Sequence, residues 1–264
     1  MNPARWIELE RYPLLNLQDP AGQALVAGLR AQLRAQGACV IEGLLRPEAL
    51  ARAVSEVESL EDQAFHQTVV GNAYLRDPAP DLPPEHAERI MNTTALGVLA
   101  RDQLPAGTVL ADLYAWDPLL RFVEAIVDRG ALYRYGCPLG ALNVAVMGAG
   151  DSLRWHFDQS DFVVSIPLRH AARGGVFEWV RDVRRPDDER YADVAAVLRG
   201  ESRDVRALPM PPGSLVLFEG RYTLHRVTRI DGPVTRLVAL LAYSDVPGRG
   251  GSDYLKRMRY GRIA

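Results

Sequence analysis

Cysteine is almost missing from the sequence. Cys39 and Cys137 are the only two in 264 residues, far apart and without CxxC spacing. That removes a disulfide framework and a cysteine zinc site, and it fits a reducing compartment. A surplus of charge of either sign is missing too. With 31 basic against 33 acidic residues and a net charge of −2, nothing electrostatic calls for a nucleic-acid backbone or an anionic membrane as partner. No basic, aromatic-interleaved stretch suggests DNA or RNA, and no peptide groove or carrier-protein docking feature is apparent. Long hydrophobic runs are also lacking. The strongest, 213–218 and 237–243, fall well short of the roughly 20 residues a spanning helix needs. The opening MNPARWIELERYPLLNL places acidic residues and proline where a signal peptide would need an apolar stretch. The expectation is a cytoplasmic protein acting on a small molecule, without membrane or nucleic-acid partners and with its oligomeric state open.

At 48% hydrophobic residues, a chain of this length can bury one sizeable core, so a single domain over 1–264 is expected. Residues 1–130 read as mostly helical. Apolar residues at near-helical spacing predict a helix over 18–37, started by Asp19-Pro20 and stopped by Gly37. A short buried strand is expected at 38–45, a second helix from Arg46-Pro47-Glu48 to about Asp62, and a third over 117–129. The Pro-rich 71–85 reads as a surface loop or lid. Over 131–245, β-rich runs alternate with Gly, Pro and charge clusters, as in an antiparallel barrel or double sheet. Strands are predicted at 141–147, 153–157, 162–168, 175–180, 214–218, 224–228 and 236–243. A charged insertion, 181–206, interrupts them, with a short helix expected at 191–198; 246–264 reads as a C-terminal tail.

The chemistry concentrates in a few residues of this β-rich half. His156 and Asp158, in Arg-Trp-His-Phe-Asp, are two apart, which on a strand puts both on one face. His225 follows at the start of another predicted strand. Two imidazoles and one carboxylate make a facial triad that suits non-haem iron(II), because three protein ligands leave positions for a chelating co-substrate and dioxygen. Arg236 opens the otherwise apolar strand RLVALLAY; turned inward, it needs an anionic partner, and a guanidinium fork matches a carboxylate. Arg226, beside His225, should face away from the metal. His66, His86 and His170 have no comparable partners and read as surface or capping residues.

In this combination of HxD, distal His and a later Arg, the sequence resembles the iron(II)/2-oxoglutarate-dependent oxygenase superfamily. The stretches His156-Phe-Asp, GGVFEWV, DDERY and LHRVT are similar to a group of stand-alone amino-acid radical halogenases and their hydroxylase relatives. The resemblance implies a mainly β fold with flanking helices around a double-stranded β-helix, the cupin-like jelly roll, in 131–245. It implies Fe(II) on His156, Asp158 and His225, 2-oxoglutarate as co-substrate with its distal carboxylate on Arg236, and O2 as oxidant. The implied reaction is hydroxylation of an unactivated carbon of a small molecule, an amino acid or similar metabolite, with release of succinate and CO2. In the halogenases of the group a glycine replaces the carboxylate ligand; Asp158 therefore implies hydroxylation. Leu153 and Gln159 flank the motif where lysine-acting members place polar and acidic groups, so lysine does not carry over as substrate.

Asn143, a polar residue inside LNVAVM, is a candidate for co-substrate binding. Glu178 shares its ambiguity, and Tyr133, Tyr135, Trp155, Phe162, Thr223 and Trp179 lie near ligand-bearing segments as lining or core. Desaturation, cyclisation, epimerisation, or a non-catalytic jelly-roll sensor with the same site stay open at this point.

Overall fold

The computed structural model describes residues 2–264. Helix α1, Pro20–Gln36, begins on a proline and ends where Gly37, at φ 72°, returns its N–H to the Leu33 carbonyl. It buries Val26, Leu29 and Leu33, one stripe at helical spacing. Further helices are α2 (Pro47–Glu58), α3 (Val109–Ala115), α4 (Asp117–Val127), α5 (Tyr191–Leu198) and α6 (Asp253–Tyr260).

The strands that build the barrel are β1 (Ala38–Ile41), β2 (Phe65–Gly71), β3 (Asn92–Leu99), β4 (Leu142–Met147), β5 (Leu153–His156) and β6 (Val163–Arg169). They continue with β7 (Phe177–Val180), β8 (Arg206–Ala207), β9 (Leu215–Phe218), β10 (Leu224–Val227) and β11 (Arg236–Leu241). Seven form one antiparallel sheet in the order β1-β9-β6-β11-β4-β3-β2, and four form a second in the order β8-β7-β10-β5. This is the expected jelly roll with flanking helices. Three of the seven strands in the larger sheet come from the first 100 residues, so the N-terminal part is built into the barrel.

Strand alternation divides the large sheet into two faces. Leu142, Val144, Val146, Val164, Ile166, Leu168, Leu215, Leu217, Leu237, Ala239 and Leu241 join one cluster with Val26, Leu29, Leu33, Leu113, Phe122 and Ile126 of the helices. Each such fully buried side chain contributes about 1.5–3 kcal/mol. This layer holds the sheet against the helical half. The opposite parity, with Asn143, Met147, Ser165, Phe218 and Arg236, faces the barrel interior and the small sheet.

The β2–β3 hairpin, α3, β8 and α6 were not anticipated. The 71–85 segment begins buried at Asn72, Ala73 and Tyr74 and then runs over the surface. Its start covers the edge of β5, where Phe157 N–H donates to the Ala73 carbonyl at 2.8 Å.

Candidate metal centre

β10 and β5 pair so that His225 lies directly across from His156, with a register irregularity just beyond. Both imidazoles point into the barrel, their ring centroids 4.1 Å apart. The strand predicted at 153–157 ends one residue earlier, so the shared face of His156 and Asp158 is not the work of strand alternation alone. β5 ends at His156, and Asp158 is delivered by the following turn, whose conformation is set by two loops: Phe157 N–H on Ala73 O and Asp158 N–H on Gly220 O at 3.0 Å. The consequence for the side chains is the same. One ligand atom from each of His156, Asp158 and His225 lies within 4.8 Å of the others.

Each imidazole is fixed by the nitrogen it does not offer. His156 Nδ1 sits 2.9 Å from the Arg154 carbonyl and His225 Nδ1 2.9 Å from the Thr223 carbonyl. A carbonyl only accepts, so both Nδ1 atoms carry hydrogen and both Nε2 atoms present a lone pair. The Nε2 atoms lie 3.5 Å and 3.4 Å from the two carboxylate oxygens of Asp158. Phe177 stacks on the His225 ring at 5.4 Å and Phe218 meets it edge-on at 4.8 Å, walling that side of the centre with hydrocarbon.

Burial holds the His156 pKa below its ordinary value, reinforced by the neighbouring His225, so the imidazole is neutral and ready to bind a cation. Asp158 is buried between the two imidazoles, its carboxylate oxygens facing their Nε2 atoms. Its Oδ2 is sealed from solvent and has no hydrogen-bond partner. A buried, unsatisfied carboxylate oxygen costs free energy. A divalent cation between two Nε2 atoms and this carboxylate removes that cost, and the donor set is the one non-haem iron(II) takes. The residues present fit the metal.

Arg236 opens β11 opposite Met147 of β4 and is 5% exposed. Its guanidinium lies beside Met147, which packs with Val227 and Ile230 in one apolar cluster. The contact made by Nη1 is with the Met147 sulfur at 3.8 Å. No carboxylate pairs with it among the described residues, and burial alone pushes its pKa down to about 10. Asn143 shares that interior face further along β4. Its amide donates to Leu139 O at 2.9 Å and accepts from the Tyr260 hydroxyl at 2.7 Å, tying α6 to the barrel.

The other sequence candidates divide cleanly. Arg226 faces outward, donating to Glu178 at 2.7 Å and lying over the Trp155 ring, so Glu178 and Trp155 belong to the back of the small sheet. Phe162 packs with the helices, Trp179 packs with Ala38 and Phe218, and Tyr133 is largely exposed. Tyr135 is half-buried against the packing around Leu139 and Tyr260. Thr223 acts through its carbonyl. His66 pairs with Asp151, His86 accepts the Glu88 N–H at a helix start, and His170 is exposed at the end of β6. Sequence reasoning missed Phe177, Phe218 and Gly220. Strand parity with His225 and its cross-strand neighbours was the signal for the two phenylalanines.

The family model of Halogenase D matches residues 21–247. The chain belongs to this family. No curated protein matches it. Among solved structures, it is similar to a 2OG-Fe(II) oxygenase family oxidoreductase from Burkholderia pseudomallei, at 16% identity over 85% of this chain and 92% of that one, TM-score 0.53. It is also similar to SnoN, the non-heme alpha ketoglutarate dependent epimerase of nogalamycin biosynthesis, at 16% identity over 87% and 92%, TM-score 0.58. A third is a prolyl hydroxylase from Trichoplax adhaerens, at 16% identity over 87% and 96%, TM-score 0.53. At these identities the likeness establishes the jelly-roll fold.

Proposed function

We propose that this Halogenase D family member is an iron(II)- and 2-oxoglutarate-dependent dioxygenase that hydroxylates an unactivated carbon of a small molecule, an amino acid or a similar metabolite. The observation that carries the reading is the pairing, inside one barrel, of three convergent metal-ligand side chains with a buried, carboxylate-free Arg236. His156 and His225 would hold the metal through Nε2, Asp158 through its carboxylate, and Arg236 would take the distal carboxylate of 2-oxoglutarate. When bound, iron and co-substrate together supply the oxidising power, one dioxygen being divided between the hydroxylated product and succinate with loss of CO2.

The chain's own part is positioning. The Arg154 and Thr223 carbonyls keep each Nε2 unprotonated, and Phe177 and Phe218 keep water from one side of the centre. Asn143 has a second amide hydrogen to offer a bound molecule. Asp158 supports hydroxylation over halogenation, because in the halogenases that the sequence resembles a glycine stands at this ligand. Anaerobic loading with Fe(II) and 2-oxoglutarate, then exposure to O2 with a panel of amino acids, tests the reading. A product heavier by one oxygen, with stoichiometric succinate, is expected; succinate formation independent of both iron and Arg236 refutes it.

A further inference from the structure

The carboxylate that completes the triad is seated against a glycine, and the seat is as specific as the ligand. Gly220 lies in the loop between β9 and β10, five residues before His225, and its carbonyl accepts the Asp158 N–H. A Cβ at position 220 would stand 2.6 Å from Asp158 Cγ and 2.9 Å from its Cβ, with Oδ2 closer still. Real Cβ atoms essentially never come within 3.0 Å of another heavy atom, so something must shift to admit one here. Backbone conformation does not demand this glycine: Gly220 is not among the positive-φ glycines, whereas Gly213 in the preceding turn is, at φ 82°. What excludes a side chain at 220 is the Asp158 carboxylate.

We propose that Gly220 is a positioning residue for the metal carboxylate, so that positions 158 and 220 act as one unit: aspartate at the first requires the absence of a side chain at the second. The inference rests on the reading of His156, Asp158 and His225 as metal ligands. The carboxylate is bounded by His156 Nε2 at 3.5 Å, His225 Nε2 at 3.4 Å and the Gly220 backbone. A methyl group at 220 must therefore expel the carboxylate from between the imidazoles or push back the loop that runs through Thr223, whose carbonyl orients His225. Either response degrades the ligand geometry. The imidazoles keep their strand positions in the first case only.

A double-mutant cycle on metal affinity separates these possibilities without turnover. Fe(II) binding is measured anaerobically by titration calorimetry for wild type, Gly220→Ala, Asp158→Gly and the double variant, with thermal melts of the metal-free proteins. Gly220→Ala is expected to weaken Fe(II) on the order of 10- to 100-fold, the range for losing a group that orients a ligand. On the Asp158→Gly background, where the methyl has room, the same change is expected to cost less than about 3-fold. Wild-type affinity in Gly220→Ala, or penalties that multiply in the double variant, overturns the proposal. If Gly220→Ala does not fold, the double variant decides: it must melt like Asp158→Gly, and an unfolded double variant also overturns the proposal. Wild-type Fe(II) affinity in Asp158→Gly instead removes Asp158 from the triad, a failure of the functional reading itself.

Discussion

Replacing Arg236 with methionine tests the proposed co-substrate role, because that role gives the guanidinium opposite effects in the empty and loaded protein. In the metal-free chain it is a buried cation beside Met147, with its pKa depressed to about 10. The sign follows from proton uptake. Between that value and the ordinary 12.5 the unfolded chain binds more protons than the folded one, so stability lost at neutral pH returns only as pH rises through this window. The penalty at pH 7 is on the order of 3 kcal/mol. Methionine removes the charge while keeping apolar volume, so the metal-free variant is expected to melt no lower than wild type. A relief of even 1 kcal/mol corresponds to about 2–4 °C at this chain length. In the loaded protein the same change removes a charge-assisted bidentate pair worth about 1.5–3 kcal/mol. That is roughly 10- to 150-fold in 2-oxoglutarate affinity. The assay is calorimetric titration of 2-oxoglutarate into the Mn(II)-loaded, catalytically silent protein, beside melts of the metal-free pair. Unchanged 2-oxoglutarate affinity in the variant refutes the assignment. A metal-free melt lowered by many degrees refutes the claim that the guanidinium is unpaired.

His156→Ala, Asp158→Ala and His225→Ala are each expected to abolish iron-dependent succinate formation while circular dichroism stays native; full turnover in any one removes that residue from the triad. Metal-free stability is expected to fall as pH drops below about 6.5, because the unfolded chain then protonates His156 while burial keeps the folded imidazole neutral. Melts of His156→Gln should lack that part of the slope, and an identical slope assigns it elsewhere. In saturating chloride the wild-type product is expected to carry oxygen and no chlorine. A chlorine isotope pattern by mass spectrometry would mean that Asp158 is not an iron ligand.

The interior of the barrel was legible because two-residue alternation survives in the β-rich half. Leu142–Met147, Val163–Arg169 and Arg236–Leu241 lie within or one residue from the predicted runs, and the helix at Tyr191–Leu198 was read with its bounds. Arg226 outward and His225 inward followed from the same parity. What escaped has weak apolar contrast. β2 is an edge strand with mostly exposed or half-exposed residues, and the Pro-rich run after it masked its hairpin partner β3. α6 is DYLKRMRY, too polar to show a core-facing stripe, so it read as tail. Asp158 was placed on the right side of the centre for an incomplete reason, since spacing within a strand does not reveal where the strand ends. Gly220 was invisible for a related cause. Its role depends on a contact 62 residues away along the chain, and a loop glycine is ordinarily explained by its backbone.

The way the three ligands are held bears on how one fold serves different outcomes. Both imidazoles sit on paired strands, face to face in register, each locked through Nδ1 to a backbone carbonyl of its own segment. Removing either would leave a hole in the small sheet and unpair a carbonyl. Asp158 is different: it lies beyond the end of β5, its N–H donating to the Gly220 carbonyl while the preceding Phe157 N–H donates to Ala73, and its Oδ2 has no hydrogen-bond partner. Its side chain therefore does little for the barrel, and exchanging it alters the coordination sphere without disturbing the strands that carry the histidines. On the proposed reading, the residue at 158, together with the room that position 220 leaves, sets whether the centre holds a carboxylate or admits an anion from solution.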